Sequence, residues 1–212
     1  METILTVIDS LNIYQPKSGY RFSLEPFILS KDIDIKDNQC VVDFGSGCGI
    51  ISVLIGKINP RCKIYAVENN DDMSNIIRKN IALHNLDNVI VVKTLEEIKT
   101  NEVDIVISNP PYFTKDSYRS SKKFFSEKFE TQSIKEILLS IRRIIKNKGL
   151  LRLSYHPTRI IDLIKLLDGL GFGIKSIKPI YGSMNSKASF VVLDSKFNTK
   201  SYTIIEKAVY LD

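Results

Sequence analysis

The sequence predicts an α/β fold: a mostly parallel sheet with helices on both faces and one antiparallel hairpin at its end. Three observations predict it. After about residue 38, short apolar runs alternate with stretches of helical periodicity, and strands that alternate with helices build a parallel sheet. The first of those runs ends in a glycine-rich turn that opens a helical stretch. Sheets of this kind bind ligands at such turns, at the carboxyl ends of their strands. The last two apolar runs follow one another with only a turn between them, which makes a hairpin at the sheet edge.

Each element has its own signal. Cys40–Phe44 reads as a buried strand and Gly49–Ile58 as the helix after the turn, stopped by Asn59-Pro60. Lys63–Glu68 is a second strand. Residues 71–85 have helical spacing through Met73, Ile76, Ile77, Ile81 and Leu83 or His84. Val89–Val92 and Val103–Ser108 are the third and fourth strands, and the fourth stops at Asn109-Pro110-Pro111-Tyr112. A helix over Ile134–Lys146 ends at Asn147-Lys148-Gly149, and Leu150–Tyr155 is the fifth strand. Pro157 suits the first turn of a helix whose Ile160, Ile164 and Leu167 share a face. Ile174–Ile180 and Ala188–Leu193 close the count at seven strands.

The 212 residues fit one domain over residues 1–212, with residues 1–38 as an N-terminal extension. Apolar runs are far shorter than the roughly 20 residues of a membrane span, and Met1–Asp9 has no basic cluster of a signal peptide. The expectation is a cytoplasmic protein with no membrane partner, and a monomer. Three cysteines, Cys40, Cys48 and Cys62, and two distant histidines have no zinc spacing, so no metal is expected. The formal charge of +6 suits a polyanionic partner.

Two motifs carry chemistry. Asp43-Phe44-Gly45-Ser46-Gly47-Cys48-Gly49 follows the first strand. A dinucleotide turn, G-x-G-x-x-G, would need glycine at Ile50. The D-x-G-x-G-x-G spacing instead suits a backbone lying against a methionine moiety and a ribose. Asp43 would accept from the cofactor's ammonium. Glu68, ending the second strand, would accept both ribose hydroxyls. Proteins whose cofactor turn this spacing resembles usually carry an acidic residue just after the third strand to meet the cofactor's adenine; here Thr94, Glu96 or the backbone would serve, a departure from that pattern. The implied cofactor is S-adenosylmethionine.

The second motif is Asn109-Pro110-Pro111-Tyr112. An exocyclic or amide nitrogen has a delocalised lone pair and needs acceptors for its N–H bonds. The Asn109 side-chain oxygen and the Pro110 carbonyl fill that role, Pro111 helps to restrict the backbone, and Tyr112 offers a stacking face. The chemistry suits adenine N6 and glutamine alike. The stretch after it interleaves Lys115, Arg119, Lys122, Lys123 and Lys128 with Phe113, Tyr118, Phe124, Phe125 and Phe129. That mixture suits phosphates and unpaired bases, which makes Phe113, Lys115, Arg119, Lys122 and Lys123 candidates for the substrate.

Together the two motifs resemble the amino-methyltransferases of the class I methyltransferase superfamily, whose Rossmann-like seven-stranded sheet has a reversed last strand. Gln15–Leu29, with its Gly19-Tyr20-Arg21-Phe22-Ser23 core, and the closing Ser201-Tyr202-Thr203 and Val209-Tyr210-Leu211 resemble the bacterial tRNA (adenine-N6)-methyltransferases that modify valine tRNA beside the anticodon. Glu25 stands where that family typically has Asp. The resemblance implies an N-terminal lid in which Gln15, Arg21, Phe22 and Ser23 line the cofactor, and RNA, most of all tRNA, as partner. Release-factor glutamine methyltransferases share the Asn-Pro-Pro-Tyr chemistry and are the alternative. DNA adenine methyltransferases and a non-catalytic RNA-binding module of the same fold rank lower.

Overall fold

A computed structural model describes residues 1–8, 10–18, 24–110 and 134–211. They fall in two compact units, Met1–Lys99 and Thr100–Asp212.

The first unit opens with a hairpin that the sequence reading left inside the extension. Strands β1 (Thr3–Ile8) and β2 (Leu11–Pro16) pair antiparallel, with Ile8 opposite Leu11. β2 alternates as a half-buried strand does: Leu11 and Ile13 are buried and Asn12 between them is exposed. A short helix α1 (Glu25–Ser30) buries Pro26, Phe27 and Leu29. Then β3 (Cys40–Phe44), α2 (Ile50–Ile58), β4 (Lys63–Val67), α3 (Asp71–Leu83) and β5 (Val89–Val92) alternate. β3 pairs parallel with β4, and β4 with β5. Both strands are buried without alternation, over Cys40–Asp43 and Ile64–Val67, as strands covered on both faces are.

One buried side chain ties the hairpin down. Asn80 on α3 is 0% exposed. Its Oδ1 accepts from Tyr14 N–H at 2.7 Å, and its Nδ2 donates to Tyr14 C=O at 2.9 Å and to Cys48 C=O at 2.8 Å. An asparagine thereby closes the strand's backbone and a carbonyl of the glycine turn together. Asn80→Ala leaves these backbone groups short of partners, and the expected cost is about 2–4 kcal/mol. Urea unfolding measures it; a loss under about 1 kcal/mol would show that water replaces the amide without penalty.

The second unit contains β6 (Val103–Ser108), α4 (Ile134–Ile144), β7 (Ile145–Tyr155), α5 (Ile160–Gly169), β8 (Phe172–Tyr181), β9 (Ala188–Phe197), β10 (Ile204–Ile205) and β11 (Val209–Tyr210). β6 and β7 are parallel; β9 is antiparallel to both β7 and β8; β10 and β11 lie parallel to β8. Arg152 on β7 and Asp194 on β9 face each other in register and form a two-pronged ion pair at 2.7 Å.

Several elements depart from the sequence reading. Among the described residues four short strands, β1, β2, β10 and β11, lie outside the seven expected. Helix α4 stops at Ile144, short of Lys146, because Ile145 already pairs with Val103. The next pairing is Ile105 with Leu150, so Asn147-Lys148-Gly149 is a bulge within the strand and not a helix stop. Lys148 there has φ 63°, and a Cβ on Gly149 would stand 2.6 Å from Ile145 Cγ1. Pro157 opens a 3-10 turn ahead of α5, whose buried face is Leu163 and Leu167 with Ile160 and Ile164 at its margin. β8 runs longer than expected at both ends, and β9 starts at Ala188 as expected but continues past Leu193 to Phe197.

Candidate functional site

The glycine turn has the backbone that its spacing predicts. Gly45, Gly47 and Gly49 have φ of 72°, 57° and 81°, in the left-handed region. At Gly49 space is closed as well: a Cβ would meet Ile77 Cγ2 at 2.9 Å. Gly45 and Ser46 N–H both donate to Val67 C=O at 3.0 Å, which pins the turn to the end of β4.

Glu68 completes that pin. It is 5% exposed. One carboxylate oxygen accepts from Gly47 N–H at 3.0 Å and the other from Asn70 N–H at 2.9 Å. The carboxylate is thereby oriented through both of its oxygens, and a carboxylate oxygen is able to accept more than one donor. Asn70 in turn caps α3, accepting from Asp72 and Met73 N–H.

Asp43 is 1% exposed, and its Oδ2 accepts from Ser52 N–H at 3.1 Å and Ser52 Oγ–H at 2.7 Å. The carboxylate therefore holds the first turn of α2, a role that sequence reasoning missed. Burial pushes its pKa up to about 6, against the pull of the Ser52 hydrogen bonds. The folded value lies above the ordinary 3.8. The protonated form therefore favours the fold fully below about pH 4, and that contribution is lost as pH rises through 6. Wild-type stability should fall relative to Asp43→Asn between pH 4 and 7, by at most about 3 kcal/mol. Urea unfolding at stepped pH measures this, and parallel profiles for the two proteins would refute it.

Thr94 stands in a capping box: its side chain accepts from Glu97 N–H, while Glu97 accepts from Thr94 N–H. Its hydroxyl oxygen is thus already engaged, and Glu96 beside it is exposed. Gln15, which the resemblance places against the cofactor, supplies a further group. It is 4% exposed; its Nε2 donates to Thr6 Oγ1 at 2.6 Å, and its Oε1 is buried with no hydrogen-bond partner among the described residues. A buried acceptor without a donor is costly unless something supplies one. A ligand with amine and hydroxyl donors fits a turn, a carboxylate and an orphan carbonyl in one unit. An open groove lined by Gly56, Lys57, Pro60, His84 and Asn85–Asn88 contains none of these residues.

In the second unit Asn109 follows β6 directly, and Ser154, fully buried on β7, donates its hydroxyl to Asn109 Oδ1. The amide is thereby held by a strand rather than by its own turn. Pro110 is buried. Pro111, Tyr112, Phe113, Lys115, Arg119, Lys122, Lys123 and Arg21, with Phe22 and Ser23, lie outside the described residues. Among the described residues no group of His, Cys, Asp and Glu could hold a metal, and no helix is long and apolar enough to cross a membrane.

Comparison with known proteins identifies the family. The model of the methyltransferase small domain fits residues 27–149. A release factor glutamine methyltransferase of Buchnera aphidicola is 33% identical over 118 residues, 53% of this chain and 42% of that one. A tRNA1(Val) (adenine(37)-N6)-methyltransferase of Dyadobacter fermentans is 23% identical over 141 residues, 65% of this chain and 59% of that one. The chain thus spans less than two thirds of either relative. The crystal structure of Methanocaldococcus jannaschii TYW2 in complex with AdoMet superposes with a TM-score of 0.65 at 18% identity, covering 92% of this chain and 85% of that one. The turn, the carboxylate and the matched 27–149 stretch agree on one conclusion: the chain belongs to the methyltransferase small domain family, with the class I Rossmann-like fold and S-adenosylmethionine as its cofactor.

Proposed function

We propose that the chain transfers a methyl group from S-adenosylmethionine to the exocyclic N6 of adenine in RNA, with tRNA as the first substrate. The observation that carries the reading is Asn109 at the end of β6, its amide held by buried Ser154.

When bound, S-adenosylmethionine would supply an electrophilic methyl whose carbon–sulfur bond electrons stay with sulfur on transfer. The rest is the work of this chain. Gly45, Gly47 and Gly49 let the backbone approach the methionine moiety, with Asp43 beneath them. Glu68 accepts the ribose hydroxyls, and Gln15 Oε1 takes a donor. Thr94 and Arg21 belong to the same pocket in this reading. Asn109 Oδ1 and the Pro110 carbonyl accept the two N–H bonds of the amino group. This turns the nitrogen lone pair toward the methyl and stabilises the positive charge that grows on nitrogen. The surplus proton leaves to water. Pro111 stiffens the turn and Tyr112 stacks on the base; Phe113, Lys115, Arg119, Lys122 and Lys123 meet the surrounding RNA.

Charge favours RNA over protein. From Lys135 to Lys207 the chain carries fourteen Lys and Arg against five Asp and Glu, a footprint suited to phosphates. The second reading, a glutamine acceptor in a release factor, has the 33% identity to the Buchnera enzyme in its favour. Labelled S-adenosylmethionine offered to tRNA lacking N6-methyladenosine, with release factor in parallel, separates them. Label recovered as N6-methyladenosine supports the proposal; label in the release factor alone overturns it.

A further inference from the structure

We propose that the carboxyl edge of β8 and β11 is a docking platform for RNA nucleotides that flank the modified base, with Tyr210 as the stacking face and Lys187 as the phosphate contact. This rests on the RNA reading above and says where the rest of that RNA lies.

β6, β7 and β8 run parallel, so Asn109, Tyr155 and Tyr181 all stand at carboxyl ends on one side of the sheet. β11 extends that edge: Tyr210 is in register with Tyr181, and Leu211 N–H donates to Tyr181 C=O at 3.1 Å. The two tyrosine rings stack, with centroids 5.5 Å apart and planes 28° apart. Tyr210 nonetheless remains 44% exposed. A ring held by another ring has already lost its freedom, so a base that stacks on it does not have to order it.

The turn after β8 adds charge. Ser183 and Ser186 close it through Ser183 N–H to Ser186 Oγ at 3.0 Å and Ser186 N–H to Ser183 C=O at 3.1 Å. It presents Met184 and Lys187 to solvent. Residues 172–211 carry six lysines and two carboxylates, Asp194 and Glu206, and the carboxylates are paired with Arg152 and Lys178. Lys175, Lys196 and Lys200 lie toward the opposite end of β8 and β9, so the lysine that the turn places at this edge is Lys187, and an aromatic face and a lysine on one edge suit a base and its phosphate. Strand order from β6 runs through β7, β9 and β8 to β11. At about 4.8 Å per step the platform lies roughly 15–20 Å from Asn109. That is the span of roughly five stacked nucleotides at about 3.4 Å each. The platform therefore serves neighbours of the target and not the target.

The test is tRNA binding by fluorescence anisotropy across a salt series, with the full chain as wild type, Tyr210→Ala, Tyr210→Phe and Lys187→Ala. Tyr210→Ala should weaken tRNA binding about tenfold, and Tyr210→Phe by less than about twofold, because stacking needs the ring and not the hydroxyl. Lys187→Ala should reduce the slope of log affinity against log salt by about one. S-adenosylmethionine affinity should not move in any of them. Unchanged tRNA affinity in Tyr210→Ala and Lys187→Ala overturns the platform while leaving methyl transfer to tRNA intact. A Tyr210→Phe loss as large as that of Tyr210→Ala overturns the stacking role. Wild type that binds no tRNA and labels only release factor overturns the platform and the RNA reading together.

Discussion

Asn109→Ala should lower methyl transfer by about 100- to 1,000-fold, the range found when one preorganised acceptor or donor is removed from a reacting centre. S-adenosylmethionine affinity should stay within about twofold, because the groups assigned to it, from Asp43 to Glu68, belong to other elements. The argument is geometric. Asn109 Oδ1 is held by a hydroxyl donated from a buried strand position, Ser154, which fixes the direction in which the amide oxygen can meet a substrate N–H. Ser154→Ala removes the anchor and leaves the acceptor, so it should lower kcat by about tenfold at unchanged cofactor affinity. Single-turnover transfer, with calorimetry of cofactor binding alongside, separates the two effects. An Asn109→Ala protein that remains active within about fivefold of wild type would remove Asn109 from the chemistry.

Glu68→Gln should weaken S-adenosylmethionine binding by about 100-fold despite the matched shape. Each carboxylate oxygen accepts a backbone N–H, one from Gly47 and one from Asn70. An amide has only one oxygen, so whichever way it turns, an NH2 faces a backbone N–H. The turn loses a hydrogen bond and the ribose loses an acceptor. Bonds to a charged group contribute about 1.5–3 kcal/mol each, and two of them correspond to at least that 100-fold. Calorimetric titration with S-adenosylmethionine measures it. Wild-type affinity in Glu68→Gln would show that the carboxylate serves the turn alone.

The central alternation was legible because buried parallel strands are short, apolar and bounded by turns. β3, β5 and β6 have the bounds that their sequence gave on its face, Cys40–Phe44, Val89–Val92 and Val103–Ser108. The glycine turn was legible too, since glycine takes positive φ without the cost other residues bear, and all three do so here. What escaped was decided by contacts distant in sequence. The N-terminal hairpin is fixed by Asn80, 66 residues from Tyr14, and an asparagine within a helix carries no local sign of such a partner. The start of β7 is set by pairing with Val103, which overrode the helical signal through Lys146 and turned a plausible helix stop into a bulge. The Ser52 clasp on Asp43 and the Ser154 clasp on Asn109 are likewise contacts between elements. A serine in a buried run reads as a small filler until its partner is known.

The Asn80 clasp also sets an order of events during synthesis. Tyr14 leaves the ribosome 66 residues ahead of the side chain that holds it. At about 5–20 residues per second that is an interval of about 3–13 seconds. A lone two-stranded hairpin is marginal in water, so Leu11 and Ile13, buried in the finished protein, spend that interval without their cover. The hairpin therefore cannot dock before α3 has been made, and Leu11 and Ile13 are where a chaperone would bind it in that interval.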